Sequence, residues 1–352
     1  MNNDHNNIFG RRLSQARQMK GLSMEELGCL LTPAVTRQAI NKYEKGLTLP
    51  DSRMLLAFGS ALGVKPDYFF RPFTVEVDRV MFRKDAKFSE KKSVAIRESV
   101  REELERYLEV EQLCGSQPTF LLQTAKISSS EEVTGFANQV RTTLNLGVDG
   151  ISNVIEVLEE NGIKVIEISE EESFEGLSGY ANDNIPIIVV NDNLTPERKR
   201  FALLHELGHL LMNFKSDMPA KEIENSCNVF ASELLLPSSV LLSRIGIKRH
   251  DISLAELSDI QKQYGITIDA IMESMRRLDI ITGRRYEGYL KKKRSFPDFS
   301  AIVEQSMAIP ETTGRFVRMV YRALADEVIS FSKAAALLNT SVESVKRQLQ
   351  LV

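Results

Sequence analysis

The run Leu203-Leu204-His205-Glu206-Leu207-Gly208-His209-Leu210-Leu211 sets two histidines four residues apart around a glutamate, within an apolar stretch that suits a helix. Residues i and i+4 share one helical face, so His205 and His209 can each offer a nitrogen to one Zn2+. Glu206 lies one step round the helix, where a carboxylate can take a proton from an activated water without being a ligand. The chain holds four histidines in all, and two of them fall at this spacing.

A hydrolytic zinc site uses three protein ligands and an open position. His5 sits in a polar tail and His250 follows a basic loop, so neither suits the third place. The next helix, expected over 221–235, offers Glu224 with Asn228 four residues on. Glu224 can complete the metal set while Asn228 bonds a ligand histidine from behind. Glu222 and Glu233 compete for the same role, and Cys227 reads either as a soft ligand or as a buried packing residue. For a donor to developing oxyanion charge, the candidate is Tyr180 on the strand-like segment GLSGYAN.

These residues need a scaffold. A helix is expected from 129–130 to about 145, and another, capped by Ser152, to 161–162. Strands are expected at 163–168, 177–181 and 185–190, with Pro186 near a strand start where a missing N–H is tolerated. Thr195-Pro196 then opens the histidine helix, with proline at its first position. Ser253 and Glu256 form a capping box for a helix ending at Gly265, followed by one over 267–278. The stretch 284–294 reads as a basic, glycine-interrupted linker, a solvated link or else an extra phosphate contact, and 314–350 as helix–turn–helix or as a helical hairpin that packs on the body or pairs protomers.

Upstream, residues 8–70 read as five short helices with Ile8, Leu13, Ala16, Leu27, Leu30, Ile40, Tyr43, Phe58 and Leu62 among the inward positions. Ser23 and Glu26 make a capping box, and Thr36 caps a helix whose other face shows Arg37, Gln38, Asn41 and Lys42. Arginine can bond guanine bidentately, and glutamine or asparagine can do so with adenine. Residues 73–77 alternate like a short strand, and 89–113 form a long charged helix with a narrow stripe of Val94, Val100, Leu104, Leu108 and Leu113. Such a stripe suits a dimer seam or an ordinary helix lying on the body.

The composition, 43% hydrophobic and 26% charged, excludes a disordered chain, and no run reaches the ~20 apolar residues of a membrane helix. Three scattered cysteines and no apolar leader point to a reducing, cytoplasmic setting without membrane contact. Net charge is −3, yet residues 8–72 carry ten Lys/Arg against five Asp/Glu. A basic first module on an acidic body singles out that module as the one that meets a polyanion.

Two resemblances follow from these motifs. GLSMEELG, TRQAINKYEKG and LGVKPDYFF resemble the XRE (lambda-repressor-like) family, which implies a helix-turn-helix that reads double-stranded operator DNA through Arg37, Gln38 and Asn41, with Lys42 nearby. The turn between Leu27 and Thr36 is about two residues longer than the compact family version. The Glu224/Asn228 arrangement resembles the gluzincins. RFALLHELGH and NVFASELLLP, with the strand before them, are similar to the ImmA/IrrE metallo-endopeptidases over roughly 130–285. The departures are Cys227 and Ser226, where alanine and glutamate are expected.

The expected fold is mainly α with a small β-sheet. It comprises an all-α helix-turn-helix domain (1–72), a strand and long connector helix (73–117), an α+β zincin-like peptidase domain (118–283) and a basic linker with a C-terminal helical module (284–352). The resemblances imply a homodimeric DNA-binding regulator that hydrolyses a peptide bond, of a separate repressor-like protein or of itself, with Zn2+. The alternative is an antitoxin that represses its operon and binds a toxin partner, its zinc domain serving as sensor or platform.

Overall fold

The computed structural model describes residues 2–75, 89–171, 174–182 and 184–349. They form two compact units: Met1–Gln117 with Tyr180–Asn184 and Phe316–Val352, and Pro118–Gly179 with Ile185–Arg315. The fold is mainly α with two small sheets. Among the described residues no single helix is long and apolar enough to cross a membrane.

The first unit begins with α1 (Asn2–Met19), α2 (Met24–Leu30), α3 (Arg37–Glu44), α4 (Ser52–Leu62), a 3-10 turn (Pro66–Phe70) and α5 (Glu90–Cys114). Local chemistry sets these limits. The Ser23 hydroxyl accepts from the Glu26 amide at 3.1 Å while the Glu26 carboxylate accepts from the Ser23 amide at 2.6 Å, closing the expected capping box. Thr36 caps α3 and Asp51 caps α4, each accepting an amide from the first turn. The core joins Phe9, Leu13, Ala16, Leu27, Leu31, Ile40, Phe58, Leu62, Tyr68 and Phe69. Two expected inward positions move: Leu30 is 58% exposed and Ile8 only half-buried. The chain leaves the helical path after Leu30, so extended Leu31 turns into the core instead. Gly28 is required where the turn folds back, since a Cβ there would stand 2.3 Å from the Val35 carbonyl oxygen.

The expected stripe on α5 is covered only in part: Val94 and Leu108 are half-buried and Leu113 is exposed. Val100 and Leu104 are fully buried, which rules them out as an open dimer seam and makes α5 a helix lying on the body. Buried charges fasten it there. The Arg12 side chain is wholly inaccessible and sits 2.7 Å from the Glu105 carboxylate, while its Nε and Nη2 donate to the carbonyls of Arg71 and Pro72. Arg71 reaches Glu102 at 3.0 Å. Burial raises the Glu102 pKa, against the pull of Arg71, Arg106 and Arg12. The strand expected over 73–77 does not form at 73–75, where Arg12 holds the backbone just upstream; 76 and 77 lie outside the described residues.

The second unit runs β1 (Ala125–Ile127), α6 (Ser130–Thr143), α7 (Val154–Glu160), β2 (Lys164–Ile168), β3 (Gly176–Ala181, its last two residues grouping with the first unit), β4 (Ile185–Asn191), α8 (Pro196–Leu211), β5 (Met212–Phe214), α9 (Ala220–Leu235), α10 (Ser238–Ile245), α11 (Leu254–Tyr264), α12 (Ile268–Arg277), α13 (Gly283–Ser295) and α14 (Pro297–Glu304). The main sheet has the order β2-β4-β3, with β2 parallel to β4 from Lys164↔Ile187 to Ile168↔Asn191. Ile187, Ile188, Val189 and Val190 are all fully buried, as a central strand covered on both faces requires. A separate parallel pair joins β1 to β5.

Two expectations change here. The cap of α7 is Asn153, whose Oδ1 accepts from the Glu156 amide at 2.9 Å, rather than Ser152. The stretch expected as a basic linker, 284–294, is helical: Thr282 caps α13, and Tyr289 and Lys293 hold it against Asp269 at 2.6 and 2.7 Å. Past α14, the segment 305–313 is tied back to α8 by buried acids. Glu197 accepts from Ser306 and from the amides of Met307 and Ala308, and Glu311 joins Arg200 to the first amides of α7.

The chain ends with α15 (Arg315–Ala325), α16 (Phe331–Leu337) and α17 (Val342–Leu349). Their apolar faces cluster with Tyr107 and Val110 of α5. Arg106 donates to the Leu337 carbonyl at 2.8 Å, and Lys65 to that of Thr340 at 2.9 Å. The segment is helical, as both readings expected, and it packs on α5.

Candidate functional site

Helix α8 earns its place by burial: Leu203, Leu204, Leu207, Leu210 and Leu211 face the interior, leaving His205 and His209 on the side toward α9. His209 Nε2 lies 3.0 Å from His205 Nε2. The Glu224 carboxylate on α9 is 3.2 Å from His205 Nε2 and 3.4 Å from His209 Nε2. One donor atom from each of the three lies within 4.8 Å of the others. Zinc bonds of 2.0–2.1 Å at tetrahedral angles separate ligand atoms by about 3.3 Å, so this spacing fits a shared divalent ion.

The groups behind the ligands set which nitrogens face inward. Asn228 Oδ1 is 2.9 Å from His205 Nδ1. A carbonyl oxygen there accepts the Nδ1 proton and leaves the Nε2 lone pair bare. Cys227, fully buried, places Sγ 2.9 Å from His209 Nδ1. That contact puts the sulfur behind the ring, on the side away from the Nε2 cluster, so Cys227 joins the histidine's support and not the three converging donors. Hydrogen bonds from His205 and His209 hold the Glu224 carboxyl far below the usual carboxylate range. Burial pulls the His205 pKa down, but its bond to Glu224 and the charges of Glu206 and Glu224 outweigh this and raise it.

Glu206 is buried beside the cluster and accepts a 2.6 Å hydrogen bond from the Ser178 hydroxyl on β3. The strand can come this close because residue 176 is glycine: a Cβ there would meet Glu206 Cγ at 3.2 Å and the Val189 carbonyl at 3.0 Å. Tyr180, two residues along β3, groups with the first unit and not with the cluster; it is half-buried, with its pKa raised by that burial. Of the competing carboxylates, Glu222 is exposed and outside the cluster. Glu233 is buried and committed to Arg277 and to the first amide of α10. His250 is exposed on a loop and does not belong to the cluster, and residue 5 lies in α1 of the first unit.

Sequence reasoning thus brought together His205, His209, Glu224, Asn228 and Glu206, and missed Ser178. Its signal was the period-2 placement of Ser178 and Tyr180 on the strand already suspected.

On α3, Arg37, Gln38 and Lys42 are exposed and Asn41 is half-buried, while Ile40 is fully buried and anchors the helix. Six residues, 31–36, connect α2 to α3. The pattern is that of a rigid helix holding polar, base-compatible side chains outward.

Comparison with known proteins separates the same two regions. Residues 158–274 match the family described as IrrE N-terminal-like domain, and residues 13–69 match the helix-turn-helix family. The chain is 28% identical over 106 residues to the radiation response metalloprotease IrrE of Deinococcus deserti, covering 27% of this chain and 32% of that protein. It is 33% identical over 75 residues to the protein of the same name from Deinococcus radiodurans, covering 17% of this chain and 23% of the relative. It is also 34% identical over 71 residues to the SPbeta prophage-derived uncharacterized HTH-type transcriptional regulator YonR of Bacillus subtilis, 20% of this chain and 64% of that protein. Each match spans less than two thirds of the relative's length. The match to a metalloprotease family implies a divalent metal, and the helix-turn-helix implies DNA binding. The chain therefore carries an XRE-like helix-turn-helix domain at residues 13–69 and an IrrE/ImmA-type peptidase domain at residues 158–274.

Proposed function

We propose that this protein is a DNA-binding transcriptional regulator that hydrolyses a peptide bond with Zn2+, held by His205, His209 and Glu224. The observation that carries the reading is the convergence of two histidine Nε2 atoms and one carboxylate beside a buried, hydroxyl-bonded glutamate. Two nitrogens and an oxygen at tetrahedral spacing suit zinc, which takes such mixed sets in hydrolytic sites.

When bound, the ion supplies Lewis acidity toward water and the scissile carbonyl. Glu206 is the general base: Ser178 occupies Oε2, which leaves Oε1 to accept the proton from the attacking water and to pass it to the departing amine nitrogen. Asn228 and Cys227 hold the two imidazole rings so that each Nε2 points inward. Tyr180 is the candidate donor to the oxyanion; a phenol carries its proton at neutral pH, and burial shifts this one further in that direction.

The substrate we propose is a repressor-like protein, this chain's own reader included, in a cytoplasmic setting. Operator binding rests on Arg37, Gln38, Asn41 and Lys42 of α3, and we assign it to a homodimer, because one module of this size buries little surface on DNA. No feature of either domain favours the antitoxin alternative over this reading.

The test is metal analysis followed by incubation with candidate repressors. Wild type should carry about one zinc and cleave a partner, and Glu206→Gln should keep the zinc without cleaving. A wild type that holds no divalent metal after purification in zinc-containing buffer would end the proposal.

A further inference from the structure

Helix α13 stands out electrostatically in its unit. Its thirteen residues hold six Lys/Arg and one Glu, whereas the whole unit holds 21 Lys/Arg against 28 Asp/Glu. Packing divides the six cations. Arg285 pairs with Asp251, and Lys293 with Asp269 and Glu304 at 2.7 and 3.1 Å. Arg284, Lys291, Lys292 and Arg294 are exposed and form no ion pair among the described residues. Arg294 Nε touches only the Leu290 carbonyl, and Lys292 lies over the Phe299 ring.

At 100° per residue, Arg284 and Lys291 fall within about 20° of each other, and Lys292 and Arg294 lie about 80° to either side of Arg284. Gly288 lies between them, exposed, and a Cβ there would meet nothing within 4 Å. One helical face is therefore cationic, with an open and nearly flat centre. Exposed Glu287 is the single acid on it. Lys248 is also exposed, in the loop that Asp251 ties to α13.

Helix stability accounts for part of this pattern only. Cations in the last turn favour the negative end of the helix dipole, which covers Lys292 and Arg294. Arg284 sits in the first turn, where the dipole opposes it, and Gly288 weakens the helix where alanine would strengthen it.

We propose that the outward face of α13 is a second nucleic-acid contact, a sequence-independent site for the phosphates of duplex DNA through Arg284, Lys291, Lys292 and Arg294. These residues span about 15 Å at 1.5 Å per residue, close to the rise of four base pairs. Asp251 is near enough for Lys292 to lower its pKa, but acids of the unit more than about 8 Å away are screened at physiological salt and do not cancel the patch. Duplex DNA is the polyanion at hand: the helix-turn-helix on the same chain raises its local concentration around everything tethered to it. The inference rests on DNA binding by the chain and is independent of the peptidase reading.

The experiment measures affinity of the full-length protein for a duplex of its own promoter region and for an unrelated duplex of equal length, from 50 to 200 mM salt. The variants are Arg284→Gln/Lys291→Gln/Lys292→Gln/Arg294→Gln and a control, Lys126→Gln/Lys215→Gln/Lys262→Gln, which removes exposed cations elsewhere on the unit. Each lost phosphate contact flattens the plot of log affinity against log salt by about 0.9. The α13 variant should flatten it by up to about 3.6 on both duplexes, and over this range wild type should lose about 10²-fold more affinity than the variant. The control should match wild type. Equal slopes for wild type and a folded α13 variant overturn the proposal. So does a variant that keeps its DNA slope but loses binding to polyglutamate, which would make the face a site for an acidic protein. Arg37→Ala separates failure here from failure of the reader: it should weaken the promoter duplex and leave unchanged the slope difference between wild type and the α13 variant on the unrelated duplex.

Discussion

Helix α3 holds Arg37, Gln38 and Lys42 in solvent from a single eight-residue element with its own cap and one buried anchor. The metal cluster is assembled from several elements: two histidines from α8, Glu224 from α9, and behind them Asn228, Cys227 and, from β3, Ser178. Exposure is all that the first set needs, because its chemistry is completed by the partner it meets. The second set must be complete before any ligand arrives, since donors a few tenths of an ångström out of place would not share one ion. The difference predicts graded loss of function in the reader and near all-or-none loss at the metal.

The largest expected effect tests that second half. His205→Ala/His209→Ala should remove the bound zinc altogether, seen by elemental analysis of the purified protein. Metal retained in full would break the contrast, because the cluster would then not be the site.

Next comes Glu206→Gln. General acid–base catalysis contributes about 10²–10⁴-fold, so cleavage of a target should fall by that factor while zinc content stays unchanged. A parallel fall in zinc would mean that Glu206 is a ligand, which its bond to Ser178 argues against.

On the reader, Arg37→Ala or Gln38→Ala should each cost roughly 1–3 kcal/mol of operator affinity and relax preference at particular bases, measured by competition among operator variants. Loss of all binding from either single change would put the reader in the same all-or-none class as the metal.

The smallest effects sharpen the comparison within the metal site. Asn228→Ala should weaken zinc about 10–100-fold, as loss of a ligand's supporting hydrogen bond does. Cys227→Ala should weaken it less, because a thiol is a poorer acceptor than a carbonyl oxygen. Equal zinc affinity in wild type and Asn228→Ala would show that the His205 ring is held by its burial and not by this bond.

Local chemistry made much of this readable beforehand. The capping boxes at Ser23 and Ser253, the start of α8 at Pro196 and the limits of α5 all depend on residues within a few positions of one another, and they appear where the pattern placed them. The His205/His209 pair and the outward face of α3 are legible for the same reason, since helical periodicity alone decides which side chains share a face. Where competing local signals were close, the structure chose otherwise: Leu31 over Leu30 in the core, Asn153 over Ser152 as a cap, helix over linker at 284–294. That last case turned on Tyr289 and Lys293 finding Asp269 twenty and twenty-four residues away, a contact that composition does not encode.

The sequence by itself determined the capped helices, the central strands, the i,i+4 histidines and the polar face of α3, because these follow from steric and hydrogen-bonding rules acting over a few residues. The tertiary structure decided which of three carboxylates joins the histidines, that Cys227 backs His209, that Ser178 holds Glu206, and that Val100 and Leu104 are covered within their own unit. Each depends on how one element packs against another distant in the chain, where burial free energy, summed over many side chains, sets the separation and no local spacing rule applies.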